Sequence, residues 1–290
     1  MEMKRVLILI AAALMPIFAS AQAQINTKKV QIGDFTEKTT KVVLTGNMFY
    51  DGTLRDEIVA RWNVSPYEFC TLQEFEQLKS SEEYYFLLST KGQFKKEDEP
   101  GLMFLTLVKG GKKAEGGIDD MLEIVSLPIA SAEDPSGRET VFFAAFLNII
   151  QAYAVESTEK DISAYTGLTN YSLNLSKTKD MTIVFAENDL SPKVTDKEKQ
   201  LYFDEEIIVT DEDSADDHMI DHSDRAVVSY VVAPTEASTG SYCYKMLIDN
   251  QSHMLYYFKK HRITKNTGVG FLPEDIRKLA SFRTKQASAR

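Results

Sequence analysis

The sequence is poor in the residues that cross-link chains or carry catalysis. Two cysteines, four histidines and one tryptophan occur in 290 residues. Two cysteines cannot supply the disulfide framework of a small secreted protein, so a hydrophobic core must provide the stability, and 43% hydrophobic residues are enough for one. Cys70 and Cys243 could pair in an oxidising compartment, although both lie in strand-like runs, where a buried free thiol is more common.

Local signatures of enzymes are absent as well. The chain has no Gly-x-Ser-x-Gly nucleophile turn, no phosphate-binding P-loop, no His-Glu-x-x-His and no Cys-x-x-Cys. We therefore predict no catalytic residue and no cofactor, and the sequence favours a non-enzymatic role.

Long apolar runs are missing beyond the N-terminus. A helix that crosses a bilayer needs roughly 20 predominantly apolar residues. The longest later run, 141–155, is shorter and contains Asn148 and Gln151. We therefore predict a protein that is not membrane-spanning.

The N-terminus has the three parts of a secretory signal. Lys4 and Arg5 precede the apolar run 6–19, and small residues end at Ala21. We predict a signal peptide over residues 1–21 that is cleaved after Ala21, and a soluble mature protein in a periplasm or outside the cell.

Negative charge predominates, with a formal net charge of −10. Such a protein as a whole does not attract a polyanion, so nucleic acid is not predicted as a partner. Acids concentrate over residues 204–224 and bases over 245–290. These runs are either two solvated faces or, for the bases, a patch for an anionic surface or glycan formed by Lys259, Lys260, Arg262 and Lys265.

The sequence contains the same order of predicted secondary-structure elements twice. In the first copy, Thr71 and Glu74 have the spacing of a helix capping box, and the run 84–90 is apolar on both faces, as is typical of a buried strand. In the second, two strand-like runs flank Asn250-Gln251-Ser252, which predicts a hairpin. We predict the α/β class, with mixed sheets in two similar β-α-β-α-β-β-β-α modules in tandem. The boundaries are a lead-in at 22–40, modules at 41–158 and 181–283, a linker at 159–180 and a tail at 284–290.

The order of elements predicts a mixed sheet in each module. Right-handed helical crossovers connect the first three strands and make them parallel, and the last two strands add to the sheet as an antiparallel hairpin. The first helix is predicted over 53–62 with Thr53 as its N-cap. The helix predicted over 139–156 is apolar almost all round, which indicates burial on several sides. We expect it at the interface between the modules, where it would hold them as one rigid body.

This arrangement resembles the small α/β modules of bacterial envelope proteins, such as the N-terminal domain of the Tol-system propeller protein. The segments 62–69, 256–263 and 270–276 resemble exported, uncharacterised proteins of Bacteroidetes-type bacteria. The resemblance implies a place in the cell envelope, with an envelope protein or glycan as partner. It offers no catalytic residues.

The segment 211–222 is the candidate metal site. On a helix, residues four apart lie on one face, which brings together acids and histidines that suit zinc or calcium. The alternative is an ordinary amphipathic helix, in which Ala215, Met219 and Ile220 face the sheet and the acids face water. The candidate ligands are Asp213, Asp217, His218, Asp221 and His222.

These observations favour an exported, non-enzymatic binding or scaffold protein of the bacterial cell envelope. A metal-dependent hydrolase that uses the segment 211–222 is one alternative, and a calcium-stabilised surface protein is another. The sequence predicts no oligomeric state.

Overall fold

A computed structural model describes residues 18–19, 29–94, 97, 99–160, 167–222 and 224–284. The predicted signal peptide therefore lies outside the described residues except for Phe18–Ala19, and so does the predicted tail beyond Thr284. The strands are β1 (Phe18–Ala19), β2 (Thr39–Leu44), β3 (Tyr67–Thr71), β4 (Tyr84–Gly92), β5 (Leu102–Lys109), β6 (Leu122–Ser131), β7 (Thr182–Ala186), β8 (Ile207–Thr210), β9 (Ala226–Val232), β10 (Tyr242–Asp249) and β11 (Leu255–Arg262). The helices are α1 (Lys29–Ile32), α2 (Met48–Arg61), α3 (Leu72–Leu78), α4 (Arg138–Val141), α5 (Phe143–Glu159), α6 (Asp196–Tyr202), α7 (Glu212–Asp221) and α8 (Pro273–Thr284).

Two sheets repeat one topology. The first has the order β3-β2-β4-β5-β6, and the second, read in the same direction, is β8-β7-β9-β10-β11. In each, the first three strands in sequence are parallel and the last two add antiparallel. The short β1 pairs with the end of β4. The prediction of two similar α/β units with mixed sheets is confirmed.

Successive crossover helices lie on opposite faces of each sheet. In the first unit, Leu54 and Ile58 of α2 pack with Val42, whereas Phe75 of α3 packs with the next residue, Val43. This follows from right-handed crossovers: β2 connects to a strand on one side, and β3 connects back across β2 to the other side. The second unit repeats the pattern: α7 packs on the face that joins the shared cluster, and Tyr202 of α6 packs on the other face, where α8 also lies.

The predicted start of α2 is wrong. The helix begins at Met48, and the Asn47 side chain accepts hydrogen bonds from the backbone N–H groups of Phe49 and Tyr50. Asn is as good an N-cap as Thr, and the Gly52 inside the first turns gave the stretch the composition of a loop. The capping box of Thr71 and Glu74 is present as predicted.

The predicted linker contains a packed element. Residues Gly167–Thr178 form a 3₁₀ helix with Leu168 and Leu175 buried. The Ser172 hydroxyl donates to the carbonyl of Phe258 at 2.9 Å and accepts from its N–H at 3.0 Å. The segment therefore covers the free edge of β11, which would otherwise expose unpaired backbone groups.

A single apolar cluster joins the two units. It includes α5 and the inner faces of both sheets, from Ile32 to Phe258. The rings of Phe142 and Phe146 lie 4.5 and 5.3 Å from the ring of Tyr230 in β9. The apolar helix after residue 139 therefore lies at the interface between the units, as predicted, although it is divided into α4 and α5. Within the described residues, no helix combines the length and apolarity that a bilayer crossing needs.

Candidate functional site

The candidate site is built around Arg138, which reaches from the first unit into the second. Gly137 precedes it with a φ of 88°, a left-handed conformation that glycine adopts without strain. This turn starts α4 and directs the Arg138 side chain into the second unit, where only 5% of it is exposed. Its guanidinium lies 5.2 Å from the rings of both Phe142 and Tyr230.

Every nitrogen of the Arg138 guanidinium has a polar partner. Its Nε donates to both carboxylate oxygens of Asp216, at 2.7 and 3.0 Å, and one terminal nitrogen donates to both oxygens of Asp189, at 3.0 Å each. The other terminal nitrogen donates to the Ser229 carbonyl at 3.0 Å. The Ser229 hydroxyl donates to Asp189 at 2.6 Å. A buried charge persists only where its partners are satisfied in this way.

Burial and charge oppose each other at this cluster. Burial alone would lower the pKa of Arg138, but Asp189 and Asp216 raise it above its usual value. Burial raises the pKa of Asp216 to about 6, against the pull of Arg138 and with repulsion from Glu212 and Asp189. Asp216 therefore changes charge closer to neutral pH than an ordinary aspartate does.

Beside Arg138 lies an open cleft of about 370 Å³. Asn188 and Asp189, which follow β7, line one side, and the residues that end and follow β9 line another. These two strands are parallel neighbours whose onward connections diverge, and α/β sheets place ligands at the carboxyl ends of such strands. The first unit contributes Ser131, Asp134, Ser136 and Arg138 to the wall.

The charged side chains that line the cleft are more often negative than positive. Asp134, Asp189 and Glu212 line it with Arg138, and Asp216 lies behind. At its rim, the hydroxyls of Ser131 and Thr235 share a hydrogen bond of 2.8 Å between the two units. The arrangement can accept hydrogen bonds from a ligand and offset positive charge.

Comparisons of this chain with protein-family models, curated proteins and solved structures found no match.

The residues singled out from the sequence are only partly brought together. Asp213, Asp217 and Asp221 are exposed on α7, and His218 is half-buried. The His222 ring lies 5.7 Å from that of His253. Among the residues that the structure describes, no group of three or more His, Cys, Asp or Glu side chains has the spacing of a metal site.

The amphipathic interpretation of α7 is correct for two of its three apolar positions. Ala215 and Met219 are buried against the sheet, whereas 62% of Ile220 is exposed. Asp216 was expected to face water with the other acids, but it is buried against Arg138. The one feature of the sequence that pointed to the contact with Asp216 was Arg138 itself, an isolated arginine directly before a long apolar helix.

The two cysteines are free and lie in different sheets. Cys70 is buried between the first sheet and α3, and Cys243 is buried in β10. The disulfide considered from the sequence is not formed in the structure. Burial raises the pKa of each thiol to about 11, so both are neutral at physiological pH.

The predicted basic patch is partly neutralised. Lys259 donates to Glu274 at 2.9 Å and to Asp275 at 2.6 Å. Lys260 stands over a set of aromatic rings. Arg262 and Lys265 are exposed.

Proposed function

We propose that this chain is an exported, non-enzymatic binding protein of a bacterial cell envelope, and that its ligand occupies the cleft beside Arg138. The observation that carries the proposal is the position of that cleft, at the divergent carboxyl ends of β7 and β9 and at the junction of the two units. Preformed concave sites at such positions are where α/β proteins bind ligands.

The chemistry of the wall selects the ligand. Carboxylates and hydroxyls line the cleft together with apolar side chains, and the single arginine in the wall is already committed to Asp189 and Asp216. A ligand that presents positive charge and hydrogen-bond donors, such as an amine or a basic side chain of an envelope protein, matches this wall. Because the units share one core, the cleft does not have to be assembled at the moment of binding.

A binding measurement tests the site. A short lysine- and arginine-containing peptide, titrated into the protein by calorimetry at low salt, is expected to bind, and an acidic peptide of equal length is not. Glu212→Gln removes a cleft carboxylate and should weaken binding about tenfold. Its neighbour Asp213, exposed and outside the cleft, provides the matched control Asp213→Asn. An equal loss in both variants, or no binding of the basic peptide, would contradict the proposal.

Export is tested separately. The sequence predicts that the protein recovered from its native cell envelope starts at Gln22, directly after Ala21. N-terminal sequencing checks this, and an intact Met1 start on cytoplasmic protein would contradict it.

A further inference from the structure

The loop that follows β11 forms part of the wall of the cleft. Residues 264–271 lie between β11 and α8, and we call them the cleft loop because Val269 lines the cleft. The end of this loop is bound to the segment after β7. The Phe271 N–H donates to the Asp189 carbonyl at 2.8 Å, and the Ser191 N–H donates to the Phe271 carbonyl at 3.0 Å. A displacement of the cleft loop therefore changes the shape of the cleft.

His261, near the end of β11, holds the middle of the cleft loop. Its Nε2 lies 2.9 Å from the carbonyl oxygen of Gly268. A carbonyl oxygen can only accept a hydrogen bond, so Nε2 carries the proton, and the neutral ring has its lone pair on Nδ1. Nδ1 is buried and has no hydrogen-bond partner among the residues that the structure describes. The loop in this position therefore fits the neutral form of His261 and offers no acceptor for a second proton.

Charged groups act on His261 from three elements: Lys245 on β10, Lys259 on β11 and Asp275 on α8. Burial lowers the pKa of His261 from its ordinary value of 6.5, and the two ammonium groups lower it further. The hydrogen bond to the Gly268 carbonyl and the charge of Asp275 act in the opposite direction. The balance favours the neutral ring.

The other titratable groups near the ring do not change this balance. Cys243 lies directly opposite His261 in the antiparallel pair, and burial raises the pKa of its thiol to about 11, so it is neutral. The one charged side chain of the cleft loop is Lys265, which is exposed to solvent.

We propose that His261 is a pH-sensitive latch of the cleft: protonation of Nδ1 frees the cleft loop from the His261 ring, displaces Val269 and weakens binding of the basic ligand in mild acid. The identity of this ligand rests on the proposed function, whereas the movement of the loop does not. A buried Nδ1–H without an acceptor is costly, so the charged ring has to reach water. It does so when the ring turns or the loop moves away, and the bond to Gly268 is then lost.

Linkage gives the direction of the switch. With the loop in place, His261 binds a proton less tightly than an ordinary histidine does. The closed position of the loop is therefore favoured above pH 6.5, and it loses this advantage as the pH falls below that value. Acid shifts the population towards the open loop, since the open state binds the proton better.

Hydrogen exchange of the full-length protein, without ligand, tests the movement of the loop. After correction for the intrinsic exchange rate, the protection factor of the Phe271 amide should fall about tenfold between pH 7 and pH 5. In a parallel NMR titration, the ring of His261 should titrate with a midpoint below 6.5. A midpoint above 6.5, or an unchanged protection factor after the ring has become charged, would overturn the proposal.

Two histidine variants assign the effect to His261. His261→Gln keeps an Nε2–H donor for the Gly268 carbonyl but does not titrate, so its protection factor should be the same at both pH values. The control is His222→Asn, because His222 is exposed and its φ of 52° suits asparagine. This variant should lose protection in acid as the wild type does. Loss of protection in His261→Gln, or its absence in His222→Asn, would contradict the latch.

Binding of the lysine- and arginine-containing peptide then connects the latch to the cleft. The ratio of the affinities at pH 7 and pH 5 should be about tenfold larger in the wild type than in His261→Gln, since protonation of the cleft carboxylates affects both proteins alike. Equal ratios in the two proteins would overturn the control of the cleft by His261. A peptide that binds at neither pH would contradict the proposed function, and the exchange data would still support or overturn the movement of the loop.

Discussion

The Tyr230 hydroxyl donates a hydrogen bond of 2.6 Å to the backbone carbonyl of Ile129. Tyr230 lies in the second sheet and Ile129 in the edge strand of the first, and the bond is buried. With Arg138 and the rings around it, this contact makes the junction part of the core.

Loss of Arg138 should destabilise the protein strongly. Arg138→Ala leaves Asp189 and Asp216 buried without their cation, which costs about 3–5 kcal/mol of unfolding free energy. Urea denaturation measures this. The control is Arg61→Ala, because Arg61 forms a partly exposed pair with Glu57, and we expect a loss below about 1 kcal/mol there. Similar losses in both variants would contradict the claim that the buried ion pairs of Arg138 stabilise the protein more than the exposed pair of Arg61.

Asp216 should make the stability depend on pH in an unusual direction. Burial raises its pKa to about 6, from an unfolded value near 3.8, so the folded state binds the proton more tightly. Its contribution is therefore present at low pH and is lost as the pH rises from about 4 to about 6. Compared with Asp216→Asn, the wild type should lose about 2 kcal/mol of unfolding free energy over that window.

Denaturation curves of the two proteins at pH 4, 5, 6 and 7 provide the test. A difference that stays constant or rises across this range would mean that Arg138 keeps Asp216 ionised in the folded protein.

Asp275 should be far more important than its neighbour Glu274. Asp275 is completely buried and accepts hydrogen bonds from Lys245, from the Tyr257 hydroxyl at 2.7 Å and from the Leu272 N–H at 2.9 Å. Asp275→Asn leaves the buried Lys245 ammonium unpaired, and we expect a loss of about 3–5 kcal/mol. Glu274 is mostly exposed, so Glu274→Gln should cost below about 1 kcal/mol. Chemical denaturation measures the unfolding free energy of both variants, and equal losses would contradict this prediction.

The 3₁₀ segment over β11 should protect the edge of the second sheet. Ser172→Ala removes both hydrogen bonds to the Phe258 backbone. Each is worth about 1 kcal/mol, so the Phe258 amide should exchange with deuterium at least about fivefold faster. The exposed Ser176 on the same segment gives the control Ser176→Ala. Unchanged exchange in Ser172→Ala would show that the segment does not cover the strand.

Local patterns in the sequence predicted most of the fold. Residue periodicity and short-range chemistry predict the strands, the three parallel strands and the antiparallel hairpin of each unit, and the capping box at Thr71. The start of α2 was wrong because Asn47 and Thr53 are comparable caps and local propensity does not choose between them.

The candidate site could not be predicted in the same way. Arg138 meets Asp216 and Asp189 across 78 and 51 residues of chain, and no local pattern encodes such contacts. The sequence instead drew attention to the acids and histidines of α7 as one group. The helix places these residues on different faces: Asp216 is buried against the second sheet, whereas Asp213 and Asp217 are exposed to solvent.

The central claim is that the two units form one folded body, which gives the cleft its fixed shape. Differential scanning calorimetry of the protein tests it most directly. We expect a single transition in which the calorimetric and van't Hoff enthalpies agree, and one transition at a lower temperature in Arg138→Ala. Two separate transitions in the wild type, with only one of them shifted by Arg138→Ala, would contradict the claim.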